Sequence, residues 1–194
     1  AIRKSYGKKL AKTIREALVD LNFLEVQFEI AVDQTGQADA NGYDEVCFMI
    51  STNPGESVKP LGSVASGGEL SSIMLAIKTV LADKDATETL IFDEIDVGIS
   101  GRTAQKVSEK LAVIARNHQV ICITHLAQIA SMSDSHYVIE KKIVKNNTIT
   151  SIRELSEDES IHEIARILGG AKITETVMES AKEMKELALC TKKY

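Results

Sequence analysis

Thr89-Leu90-Ile91-Phe92-Asp93-Glu94 is a short apolar run that ends in two adjacent carboxylates. A second run, Val120-Ile121-Cys122-Ile123, ends in Thr124-His125. Runs that are apolar throughout predict strands covered on both faces, as in a parallel sheet. Between them Val107, Leu111 and Ile114 recur at helical spacing and predict a helix over 102–116. Strand, helix, strand is a crossover unit and indicates an α/β fold. In open sheets of this kind, the loops beyond the carboxyl ends of the strands carry the site.

Working upstream, Leu70, Ile73, Met74, Ile77, Val80 and Leu81 predict a helix from Glu69 onward. Pro54, Gly55, Pro60 and Gly62 mark a loop before it. Leu24, Val26, Phe28, Ile30 and Val32 alternate with mostly polar residues and predict a half-buried strand over 24–32. It pairs antiparallel with a second strand over 45–51. Leu10, Ile14, Ala17 and Leu21 predict an amphipathic helix, read as the end of a coiled-coil arm over 1–22, distinct from 23–194.

Downstream, strands over 137–144 and 148–155 flank Asn146-Asn147, a hairpin signal. Lys141, Lys142 and Lys145 discourage edge pairing there. Ser156 and Glu159 form a capping-box pattern, and Gly169-Gly170 ends the helix it opens. Thr174 starts a last helix with Val177, Ala181, Met184 and Ala188 inward. There is no internal repeat.

At 194 residues the chain makes one domain or one lobe of a larger one. A formal net charge of −5 argues against a broad nucleic-acid surface and leaves room for a local basic patch. Cys47, Cys122 and Cys190 form neither a zinc-like pair nor a disulfide framework, which suits a reducing cytoplasm. No apolar run spans a bilayer, the polar N-terminus has no signal-peptide apolar stretch behind it, and no membrane partner is expected. The first residue is Ala1 and not Met, which suggests a fragment.

Three groups carry candidate chemistry. Ser66-Gly67-Gly68-Glu69-Leu70 stands where the loop becomes a helix. Unpaired amides, the helix dipole and the Ser66 hydroxyl suit a phosphate, while Ser66 with Glu69 equally reads as a plain capping box. Asp93 and Glu94 follow a buried strand. One such acid can hold Mg2+ and its neighbour can orient or deprotonate a water, or the pair is a solvated strand end. His125, after the second strand, can meet a γ-phosphate or an attacking water, or is structural. Asp96, Gly98 and Gly101 make an acidic turn. His118, His136 and His162 read as surface or packing residues. Arg102, Lys106 and Lys110 read as a solvated helix face.

The order of these parts is that of ABC ATPases. Ser66-Gly-Gly-Glu-Leu70 resembles their signature motif, Leu90–Glu94 the Walker B strand, Ile95–Ser100 the D-loop, and His125 the switch histidine. The finer wording resembles the RecN family of bacterial double-strand-break repair proteins, relatives of the SMC proteins. Ala65–Ser71, Leu75–Lys78, Phe92–Ala104 and Val120–Leu126 carry that resemblance. It departs at Ser72, where the family usually has Arg, and in having no Gly-x-x-x-x-Gly-Lys-Ser/Thr phosphate loop.

The resemblance implies the C-terminal lobe of an ABC/SMC-type ATPase head, a largely parallel sheet flanked by helices with an antiparallel hairpin. It implies ATP and Mg2+ as cofactors, with Asp93 on the metal, Glu94 on the water and His125 on the γ-phosphate. Ser66, Gly67, Gly68 and Glu69 would serve a nucleotide held by the other head, and Asp96 would communicate across the dimer. Implied partners are the chain's own N-terminal Walker A lobe, a second head in an ATP-dependent homodimer, and DNA, in the cytoplasm at the nucleoid. The lobe alone is expected to be inactive. A head lobe of another SMC-like ATPase, a transporter ATPase subunit and a non-catalytic dimerisation lobe are the alternatives.

Overall fold

A computed structural model describes residues 2–40, 42–63, 67–82, 84, 86–99, 101–144, 147–170 and 172–192. The chain falls into two compact units, one of Ala1–Ile99 with Val113–Ile123, the other of Ser100–Ala112 with Thr124–Tyr194.

The first unit opens with helix α1, Ile2–Asp20. Ala11, Ile14, Ala17 and Leu18 form its buried stripe. Asn22 adopts a positive φ of 73°, and the amides of Leu21 and Phe23 both donate to the Leu18 carbonyl. This left-handed stop satisfies the last carbonyls of the helix. It also takes up residues the alternating pattern assigns to a strand: β1 runs Gln27–Asp39, not from residue 24, and Leu24 is exposed. β1 pairs antiparallel with β2, Gly42–Ser51, with Phe28 opposite Ile50 and Ala31 opposite Cys47. The ladder continues beyond the apolar alternation, to Asp33 opposite Glu45 and Gln34 opposite Asp44. A short β3, Lys59–Pro60, joins the other edge of β2.

Helix α2, Gly67–Leu81, buries Ile73, Leu75, Ala76 and Ile77. β4, Thr89–Phe92, and β5, Gln119–Cys122, form the expected parallel pair, with Leu90 opposite Val120 and Phe92 opposite Cys122. Helix α3, Gly101–Ile114, lies between them in sequence. Leu90 and Phe92 are buried, but Ile91, Ile121 and Ile123 are 67%, 45% and 50% exposed. The reading of strands covered on both faces therefore holds for one face only. Successive strand residues point to opposite sides, and in this chain only the Leu90 side meets a core.

In the second unit a one-turn helix α4, Ala127–Ala130, packs with α5, Glu157–Gly169, and α6, Glu175–Lys192. Ala127, Ala130, Ile164, Ala165 and Ala181 form the core, with Val177, Met178 and Met184 against it. The capping box is complete: Ser156 N–H donates to Glu159 Oε2 at 2.9 Å, and Glu159 N–H donates to Ser156 Oγ at 3.3 Å. Gly170 closes α5 at φ 65°. Strands β6, Tyr137–Val144, and β7, Asn147–Glu154, form the hairpin. Val144 pairs with Asn147, so Asn147 belongs to the strand and not to the turn. Lys145 and Asn146 lie outside the described residues. No described helix is long and apolar enough to cross a membrane.

Candidate functional site

The parallel register fixes where the acidic pair lies. Phe92 sits opposite Cys122, and Ile123 N–H donates to the Phe92 carbonyl at 3.0 Å. The chain therefore leaves β4 and β5 at the same end of the sheet. Asp93 and Glu94 are the first two residues past β4, and both are exposed.

The turn they open is held by backbone geometry. Glu94 has a φ of 58°, a left-handed conformation uncommon outside glycine and concentrated at functional sites. Its N–H donates to Asp93 Oδ1 at 3.0 Å, and its carbonyl accepts from Val97 N–H at 3.3 Å. Ile95 and Asp96 are buried, while Val97 and Gly98 return to the surface.

Helix α2 meets this turn at its own first residues. Ser71 Oγ donates to the Asp93 carbonyl at 3.0 Å. A Cβ on Gly67 would stand 2.8 Å from Glu94 Oε2. One on Gly68 would stand 3.0 Å from Val97 Cβ and 3.3 Å from the Glu94 carbonyl oxygen. The two glycines thus serve a close approach, with the turn after β4 as the neighbour they admit. Glu69 is exposed, and Ser72, in place of the expected Arg, is buried on the core side of α2. Ser66 and Ser100 lie outside the described residues.

Cys122 reports the electrostatics of this corner. Burial first, then the charges of Asp96 and Asp93, push its thiol up to about 12. Asp96 and Asp93 thus place negative charge beside this end of the sheet. Among the described residues no group of three or more His, Cys, Asp and Glu could hold a metal ion. Asp93 supplies one exposed carboxylate. That fits Mg2+, which is held by one or two carboxylates together with waters and phosphate oxygens.

His125 belongs to the second unit. It is exposed, one residue before the 3.0 Å bond from Leu126 N–H to Thr124 Oγ1. Of the two readings, surface or packing, His118 takes the second: its ring nitrogens lie 2.6 Å from the Thr87 carbonyl and 3.1 Å from the Ala82 carbonyl. His136 meets Ser160 Oγ at 2.8 Å. On α3, Lys106 is engaged by Glu109 at 3.1 Å, in keeping with a solvated face.

No family model matches the chain. It is 44% identical over 195 residues to the DNA repair protein RecN of Halalkalibacterium halodurans, covering 98% of this chain and 34% of that protein. Over this span the chain is similar to RecN. RecN of Vibrio cholerae is 42% identical over 183 residues, covering 94% of this chain and 33% of its own length. RecN of Bacillus subtilis is 39% identical over 198 residues, covering 94% and 34%. The chain thus spans about a third of the curated RecN proteins it matches. Among solved structures it resembles the Smc head domain with a coiled coil and joint from Pyrococcus yayanosii, at a TM-score of 0.56 and 18% identity, covering 80% of this chain and 28% of that one. The Smc head domain with an extended coiled coil from Pyrococcus furiosus gives 0.54 and 16%, covering 82% and 37%. The fold is that of part of an SMC-type head.

Proposed function

We propose that the chain is the C-terminal lobe of an ABC/SMC-type ATPase head in a RecN-like DNA repair and recombination protein. The observation that carries this reading is the meeting of the first turn of α2 with the turn after β4, where Ser71 and Gly67 touch Asp93 and Glu94. Identity near 40% to RecN, against 16–18% to the Smc heads, favours RecN over another SMC-like ATPase.

In this reading Asp93 helps to hold Mg2+, which arrives with the nucleotide and neutralises charge on its phosphates. Glu94, on its left-handed backbone, orients the attacking water and accepts its proton. His125 contacts the γ-phosphate. Ser66, Gly67, Gly68 and Glu69 present the amide end of α2 to a nucleotide on a second head. Asp96 is buried, so it acts across the dimer by fixing the turn that bears Glu94.

The phosphate loop that this sequence lacks belongs to the N-terminal lobe. The apolar face of Ile91, Ile121 and Ile123 is surface for that lobe to cover. α1 is the end of a coiled-coil arm. The intact protein works in the cytoplasm at the nucleoid, where two heads close on two ATP molecules and hydrolysis releases them.

Sedimentation of the full-length protein carrying Glu94→Gln tests the reading. A mass increase on adding ATP is expected, and the same mass with and without ATP contradicts it. The 194-residue chain alone is expected to turn over no ATP.

A further inference from the structure

The charge of this chain is unevenly placed. Its net is −5, yet residues 1–15 hold Arg3, Lys4, Lys8, Lys9, Lys12 and Arg15 with no acidic residue among them. All six basic side chains are exposed on α1. At 3.6 residues per turn, Lys4, Lys8, Lys12 and Arg15 fall within about 80° of one another around the helix. Over a rise of ~1.5 Å per residue they make a stripe ~16 Å long.

The stripe has its own side of the helix. The adjoining flank buries Ala11, Ile14, Ala17 and Leu18 against β1 and α2. The exposed Ile2 and Tyr6 project about 80° or more beyond the stripe, so a second helix packed on them leaves it open. Arg3 stands apart and ties α1 to β2 through Asp44 at 3.1 Å. Among the described residues the stripe meets one carboxylate, Glu16, at 3.9 Å from Lys12.

From this geometry we infer that the Lys4, Lys8, Lys12 and Arg15 stripe binds the phosphate backbone of a DNA duplex. The inference rests on the reading of the chain as part of a DNA repair protein. Duplex DNA carries one negative charge per ~1.7 Å of axis, so a straight row of four cations over this length finds phosphates without a special register. A membrane surface is the poorer match. An interfacial helix must insert its apolar face, and that face of α1 is spent in the core. Contacts to phosphate oxygens carry no sequence information, so binding through the stripe is independent of sequence.

The test is fluorescence anisotropy of a labelled duplex with the full-length protein at a series of salt concentrations. The variant Lys4→Gln, Lys8→Gln, Lys12→Gln, Arg15→Gln is compared with a control that removes as many charges elsewhere, Lys59→Gln, Lys84→Gln, Lys141→Gln, Lys182→Gln. Each neutralised phosphate contributes about 0.9 to the slope of log K against log salt. The stripe variant is therefore expected to lose affinity by about tenfold or more at low salt and to lower the slope by about three to four, with the control near the parent. Protection of Lys4, Lys8 and Lys12 from acetylation by bound duplex reads the same contact in the unmodified protein, whatever the fold of the variant.

A stripe variant that binds like the parent, or a control that loses as much, overturns the inference and leaves the DNA repair reading intact. A parent that binds no duplex removes both. Phosphatidylserine vesicles that protect the same lysines better than DNA also overturn it.

Discussion

Gly67 stands so close to Glu94 that a methyl group on its α-carbon would lie 2.8 Å from Oε2. The neighbouring glycine faces a harder wall. Gly68 looks onto Val97 Cβ at 3.0 Å and the Glu94 carbonyl at 3.3 Å. The end of a flexible carboxylate swings aside at small cost, whereas a turn with a left-handed residue at its start does not.

The two glycines should therefore respond differently to alanine. Gly67→Ala is expected to change stability by less than about 1 kcal/mol, because the helix propensity gained offsets the displaced carboxylate. Gly68→Ala is expected to cost about 1–3 kcal/mol through overpacking. In the intact protein it should also lower turnover by shifting Glu94. Denaturant titration of the two variants checks this, and equal losses would contradict the close approach described for Gly68.

Acid should weaken the second unit through His136. Burial pushes its ring below the usual value, Lys185 adds to that, and Glu163 opposes it. The unfolded chain takes up the proton near pH 6.5, the folded chain only at lower pH. The neutral ring thus stabilises the fold fully above about pH 6.5, and that contribution is lost as pH falls from there through the folded value. Thermal melts from neutral to mildly acidic pH should show Tm falling, and His136→Gln should flatten the decline. An unchanged slope in the variant would assign the loss to other groups.

Thiol labelling should separate the cysteines. Cys190 is exposed, while Cys122 is held as a thiol by burial and by Asp96 and Asp93. The thiolate is the nucleophile, so iodoacetamide at mildly alkaline pH is expected to modify Cys190 well before Cys122. Peptide mass mapping reads the order, and early labelling of Cys122 would place it outside the acidic corner.

What the sequence discloses is what short-range physics controls. The Ser156–Glu159 capping box, the Gly170 stop and the helix start at Thr174 depend on residues within a turn of each other, and each is where its pattern places it. The parallel pair follows from two apolar runs, and the acids at its end follow with it. Boundaries set by competition are hidden. The alternation of Leu24, Val26 and Phe28 gives no sign that Asn22 ends α1 in a left-handed turn and delays β1 to Gln27. Polar pairing at Asp33 and Gln34 lengthens β1 where no apolar signal exists. At the site, Ser-Gly-Gly-Glu and Asp-Glu stand out in the sequence as candidates for chemistry. The positive φ of Glu94, the Ser71 bond to the Asp93 carbonyl and the burial of Asp96 do not, since each depends on how α2 meets the turn in space. The basic stripe on α1 was masked by a negative total charge.

In the proposed reading Glu94, set by the turn beside Gly67 and Gly68, does the chemistry of an ATPase head. The most direct test of that claim is steady-state ATP turnover by the full-length protein, with nucleotide binding measured alongside. Glu94→Gln is predicted to cut turnover by about 10²–10⁴-fold, the usual contribution of a general base, with ATP still bound. Turnover undiminished in that variant would contradict the claim.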